Sequence, residues 1–173
     1  MAIIRALPHP LLVVDVVLLE LEHGRSKGRL DAELFRRLID QGVVELVSLS
    51  TQAEVQFEHL VVGPAEATLD DGEAATIAVA IEANGIAIID ERKATRICAE
   101  QYPELLLQTT ADILALPSVG AQLGETVLGD AIFNALQRGR MRIAENRLDW
   151  VISRIGEPRA RQCESLPRRV RIR

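Results

Sequence analysis

The stretch Thr68–Arg96, TLDDGEAATIAVAIEANGIAIIDERKATR, decides the fold class. Three acids, Asp70, Asp71 and Glu73, open an Ala-rich apolar segment, and Asp90 and Glu91 follow directly on Ile86-Ala87-Ile88-Ile89. Asp70 or Asp71 caps a helix that runs to about Ala83, where Asn84-Gly85 stops it. The run IAIID reads as a strand, and ERKATRICAEQY as a helix ended by Pro103. Helix, short apolar strand and helix in succession are the pieces of a parallel crossover unit.

The flanks repeat the alternation. LLVVD (Leu11–Asp15) is a buried-strand run, and VVLLELEHG continues as a helix ending near Gly24. RSKG (Arg25–Gly28) is a turn. Leu30, Leu34, Leu38 and Ile39 keep a helical period that ends at Gly42. VVELVSLS is a strand, TQAEVQFEHLVVG a helix stopped by Gly63-Pro64, and LLLQT (Leu105–Thr109) a strand. From Ala111 onward the chain is helical, with breaks at Pro117 and Gly139. The expected fold is α/β, a mainly parallel central sheet flanked by helices and joined by right-handed crossovers.

Composition narrows the function. The chain has 173 residues, enough for one domain with a real core. Aromatics make up 3%, so base stacking is a poor route to recognition. A net charge of −5 argues against coating nucleic acid by bulk attraction. The charge is uneven: Pro158–Arg173 holds six Arg against Glu164 alone, an anchor for phosphates or an acidic partner, or a solvated tail. Cys98 and Cys163 form no C-x-x-C pair and His is sparse, which excludes a zinc site and points to the cytosol. Asp15 interrupts the apolar N-terminal run, so no signal peptide and no membrane span is expected. Neither G-x-G-x-x-G nor a P-loop is present, which leaves a nucleotide-binding reading without support.

Parallel sheets place function at the carboxyl ends of their strands, where helices begin. That brings Asp90, at the end of IAIID, to the same edge as Glu73 in the first turn of its helix. Asp15 and Glu20 fall there by the same logic. Like charges gathered at one edge repel unless a cation neutralises them. Carboxylate oxygens without His or Cys select Mg²⁺ or Mn²⁺, and such a site can hydrolyse phosphodiesters. The competing reading is helix capping: Asp70 with Glu73 fits a capping box, and Asp90 can cap the next helix.

The block LDDGEAATIAVAIEANGIAIIDERKATRICAE resembles the centre of PIN-domain proteins, in the toxin-like branch where a Gly-Glu pair opens a helix and a strand ends in Asp. Val17-Leu18-Leu19-Glu20-Leu21 is similar to that group's V-x-x-E-L element, and the resemblance covers roughly Leu11–Gly120. It implies a Rossmann-like PIN fold over residues 1–156, with 157–173 a basic tail. It also implies a Mg²⁺- or Mn²⁺-dependent endoribonuclease, often the toxin of a toxin–antitoxin pair. Glu20, Glu73 and Asp90 would be the catalytic metal ligands, Glu91 an accessory acid, and Arg168, Arg169 and Arg171 the RNA contacts. The implied partners are RNA, a protein antitoxin and further copies of the chain, in the cytoplasm and away from any membrane. The family opens with a further strand ending in Asp, which this sequence does not match, so the resemblance also implies a missing first strand and one lost ligand. In a competing register LLVVD is that strand, Asp15 the first acid, and Glu54 or Glu58 the second. The alternative function is a catalytically impaired PIN-fold protein that binds nucleic acid or protein.

Overall fold

A computed structural model of the chain describes residues 2–25 and 30–172. The elements run in order α1 (Ala2–Arg5), β1 (Leu12–Val14), α2 (Asp15–Arg25), α3 (Asp31–Asp40), β2 (Glu45–Val47), α4 (Thr51–Val61) and α5 (Asp71–Glu82). They continue with β3 (Ile86–Ile88), α6 (Arg92–Gln101), β4 (Leu106–Gln108), α7 (Thr110–Leu114), α8 (Pro117–Gln137), α9 (Leu148–Ile155), α10 (Glu157–Ala160) and α11 (Arg168–Arg171). The turn expected at 25–28 lies largely outside the described residues, as does Arg173.

The strands alternate with helices as the apolar runs require, and their pairing is parallel. β1 pairs with β2 in the register Leu12↔Glu45, Val13↔Leu46, Val14↔Val47. β3 pairs with β4 in the register Ile86↔Leu106, Ala87↔Leu107, Ile88↔Gln108. The fold is α/β, but the described strands form two separate two-stranded sheets rather than one continuous centre. Three-residue strands supply few ladder bonds, so helix packing carries the architecture. α5 is the helix that reaches both sheets, touching β1 and β3.

The chain divides into two compact units, one of His9–Gln108 and one joining Ala2–Pro8 to the segment from Thr109 onward. In the first, the core gathers Leu60, Ile77, Ile97 and Cys98 with Leu69 and Ala87. The Ala-rich face of α5 explains the packing. Ala74, Ala75 and Ala78 are fully buried, and small side chains let α4 and the sheets approach the helix closely. Ser50 caps α4, its Oγ accepting from the Ala53 N–H at 3.1 Å. Asn84, at a positive φ of 48°, follows the last turn of α5.

The second unit is helical. Thr109 and Asp112 close a capping box on α7, and Arg147 donates to Asp112 Oδ1 at 2.8 Å. α8 bends at Gly124, whose φ of 72° suits only a residue without a side chain. The basic end is built into this unit: Ala160, Cys163 and Leu166 are buried with Ile132, Leu136 and Val151. The apolar residues between the arginines therefore take residues 157–172 into the core of the unit.

Deleting buried volume under α5 should be expensive. Ile77→Ala should destabilise by roughly 2–5 kcal/mol, and Val62→Ala, 74% exposed, by no more than about 0.5 kcal/mol. Urea unfolding of both variants checks the difference. A second expectation concerns acid. Burial pushes the Asp112 carboxyl up, but the hydrogen bonds from Thr109 and the Arg147 guanidinium outweigh it and hold it below the usual range. A depressed carboxylate stabilises the fold above its unfolded value and loses that contribution as pH falls through its folded one. The stability difference between wild type and Asp112→Asn should therefore shrink below about pH 4, as read from thermal midpoints against pH.

Candidate active site

The first N–H groups of a helix have no partner within it. Asp70 takes the N-cap position of α5, yet its side chain forms no capping hydrogen bond, so the Asp70 half of the expected capping box is absent. The partner comes from another helix. The Gly72 N–H donates to Glu20 Oε1 at 2.9 Å, across 52 residues of chain. Gly72 is what admits that carboxylate: a Cβ there would stand 2.5 Å from Glu20 Oε2 and 2.9 Å from Cδ. Glu20 is thereby fixed at the N-terminus of α5, where the helix dipole favours negative charge.

Glu73 follows one residue later and is partly buried. Its carboxyl is pushed above the usual range, first by burial, then by the negative charges of Glu91, Asp70 and Glu20, with Lys93 opposing them. Four acids thus share one electrostatic neighbourhood. Glu91 has a structural task as well: it caps α6, accepting from the Lys93 N–H at 2.7 Å. Asp90 precedes that cap and follows β3, next in sequence to an acid that acts on Glu73. Cys98 lies beneath, its thiol pushed up by burial and then by Glu73.

Among the described residues no group of three or more His, Cys, Asp or Glu side chains is arranged to hold a metal ion. Glu20 and Glu73 act on one another, but a closed cage of Glu20, Glu73 and Asp90 is not formed. The donor chemistry suits a hard cation, since it offers carboxylate oxygens only.

Asp15 opens α2, five residues before Glu20. Ser48 Oγ donates to Asp15 Oδ2 at 2.6 Å, and Ser50, two residues on, donates to Glu82 at the far end of α5. Glu54 lies in the first turn of α4 and is exposed. The arginines of the C-terminal segment are mostly paired within their own unit. Arg159 donates to Asp130 at 2.6 Å and stacks on Phe133 at 5.3 Å, and Arg169 pairs with Glu145. Arg171 Nε is buried without a hydrogen-bond partner.

The sequence reading foresaw neither the contact of Gly72, noted there as part of the Gly-Glu pair, with Glu20 nor a place for Lys93 in the site. Gly72 carried a signal, being a glycine in the first turn of an Ala-rich helix, where it costs about 1 kcal/mol against Ala unless close approach requires it. Lys93 carried none, because its nearness to Glu73 is a tertiary fact.

Among known families, a model of DUF3368, described as a PIN domain, matches residues 1–157. No curated protein and no solved structure matches the chain.

Gly72→Ala should expel the Glu20 carboxylate. The exchange protection of the residue-72 amide should then fall to the level seen in Glu20→Ala, and unchanged protection would show that Glu20 does not cap α5. Glu73 has a raised folded value. Its contribution to stability is fully present below the unfolded pKa and is lost as pH rises through the folded one. Glu73→Gln should therefore stabilise the metal-free protein at neutral pH, an effect that vanishes near pH 4. A thermal midpoint lowered at pH 7 would instead mark Glu73 as a structural cap.

Proposed function

The chain belongs to the PIN-domain family, and on that premise we propose that it is a divalent-metal-dependent endoribonuclease hydrolysing RNA phosphodiesters, the toxin of a toxin–antitoxin pair. PIN domains suggest nuclease function in general and use divalent metal ions. The observation that carries the reading is the convergence of Glu20 and Glu73 at the N-terminus of α5, held by the Gly72 contact. Glu20 gains the Gly72 N–H there, whereas Glu73 is disfavoured as an anion by burial and neighbouring acids.

Glu20, Glu73 and Asp90 are the residues that would hold Mg²⁺ or Mn²⁺. A divalent cation there supplies Lewis-acid charge to a phosphodiester under hydrolysis. The chain's own groups do the rest. Glu73 holds its proton to higher pH than a solvated Glu and releases it when positive charge arrives. Glu20 is kept in one orientation by the Gly72 N–H, and Glu91 stays committed to α6. Arg168, Arg169 and Arg171 remain candidate RNA contacts, with Arg169 already paired to Glu145. For the antitoxin and for self-association, the exposed Leu19, Leu30 and Leu34 of the α2–α3 region offer apolar surface. A cytoplasmic place of action is part of this reading; among the described residues no helix is long and apolar enough to cross a membrane.

The second reading, a catalytically impaired PIN-fold binding protein, is favoured by one observation: the lack of a formed three-ligand group among the described residues.

The two readings part in a cleavage assay on single-stranded RNA with Mg²⁺ or Mn²⁺. The wild type should cleave, and Glu73→Gln and Asp90→Asn should each lower the rate by about 10²-fold or more, the scale of a lost transition-state interaction of roughly 3 kcal/mol. RNA binding without cleavage would select the impaired protein.

A further inference from the structure

The cation that acts on Glu73, Lys93, opens onto a cleft on the surface of the first unit. The cleft is lined by Ala65, Glu66, Arg92, Lys93 and Arg96. Arg92 and Lys93 begin α6, and Arg96 stands one turn along, so the three cations share a helix face. Their engagement differs. Arg96 is tied down, donating to Glu100 Oε2 at 2.9 Å and to the Glu66 carbonyl oxygen at 2.9 Å. It braces the segment at 65–66 as the opposite wall. Arg92 is exposed and forms no side-chain ion pair or hydrogen bond among the described residues.

Positive charge in the first turn of a helix works against the helix dipole. Arg92 and Lys93 occupy that first turn, where α6 has no acidic residue. Several other arginines are paired to neighbouring acids: Arg154 to Glu125, Arg159 to Asp130, Arg161 to Glu157, Arg169 to Glu145. Of the three α6 cations, Arg96 is paired to Glu100 and Lys93 acts on Glu73, which leaves Arg92 without a side-chain partner among the described residues.

We propose that this cleft binds the sugar–phosphate backbone of single-stranded RNA, with Arg92 and Lys93 contacting phosphates and Arg96 holding the wall. The inference rests on the nuclease reading and adds the surface that brings the strand to Glu20 and Glu73. Two features favour a nucleic-acid backbone over an acidic peptide. The cleft contains Lys93, the cation that acts on Glu73. It also lacks aromatic side chains, so it grips charge without reading bases, as phosphate contacts do.

The test is fluorescence anisotropy of a labelled single-stranded RNA in EDTA, over a salt series, on the full chain. Each phosphate contact contributes about 0.7 to the slope of log affinity against log salt for single strands. The double variant Arg92→Gln/Lys93→Gln should bind more weakly and lose about 1.4 from that slope. Arg138→Gln/Arg142→Gln, exposed residues of the other unit with no part in the proposed contacts, should keep the wild-type slope. Circular dichroism confirms that both variants fold. An unchanged slope in the Arg92/Lys93 variant overturns the proposal. So does a parallel, equal loss of binding to a poly-glutamate peptide, which would mean undifferentiated attraction of anions. Cleavage assays separate the two readings: RNA cleaved by a wild type whose slope ignores Arg92 and Lys93 leaves the nuclease standing and removes the cleft. RNA bound through them but never cleaved in Mg²⁺ or Mn²⁺ does the reverse.

Discussion

One hydrogen bond organises the site: the Gly72 N–H to the Glu20 carboxylate. It satisfies a donor that α5 cannot satisfy itself. It joins α2 to α5, the helix that also touches β1 and β3. It places a second carboxylate beside Glu73, which raises the electrostatic cost of ionising that residue. The bond depends on an absence, since a methyl group at position 72 would occupy the carboxylate's space. A single glycine thus serves packing, capping and the electrostatics of the site together.

The arrangement sets stability against chemistry. Four acids near one helix end, with one partly buried, raise the free energy of the folded chain, and a small domain has few kcal/mol to spare. Some of that cost is offset locally: Glu20 gains an N–H and a helix dipole, and Glu91 gains a cap. Glu73 has burial and repulsion with only Lys93 in opposition. A group left in that state is a candidate for function because its environment shifts its proton affinity without a structural return. The basic cleft beside it makes the same departure with opposite sign, placing cations where the helix dipole disfavours them. The acid Glu73 and the cation Lys93 thus act on one another at the start of α6.

The C-terminal segment shows why net composition is a weak guide to binding. Residues 158–173 hold six arginines, yet three of those described are paired to Asp or Glu of the same unit. Val170 and Leu166 pack with that unit's core. Charge density along a sequence becomes charge density on a surface only where the fold withholds partners.

The sequence by itself determined the secondary structure. Ser50 at the start of α4, Asn84-Gly85 after α5 and the apolar runs at 12–14 and 86–88 are local signals, and local backbone preferences answered them. It also determined that acids cluster around 70–73 and 90–91, and that the chain resembles a PIN domain. Tertiary structure alone decided which acid does what. Asp70 stands in the cap position and does not cap, because Glu20 arrives from 52 residues away and competes for the same donors. Glu91, one residue beyond the strand-ending Asp90, takes the cap of α6. Asp15 accepts a hydrogen bond from Ser48. Strand pairing, too, was settled in space, since three-residue strands carry little information about their neighbours. Hydrogen-bond partners and unpaired charges are properties of what lies within a few ångströms, and sequence separation does not encode that distance.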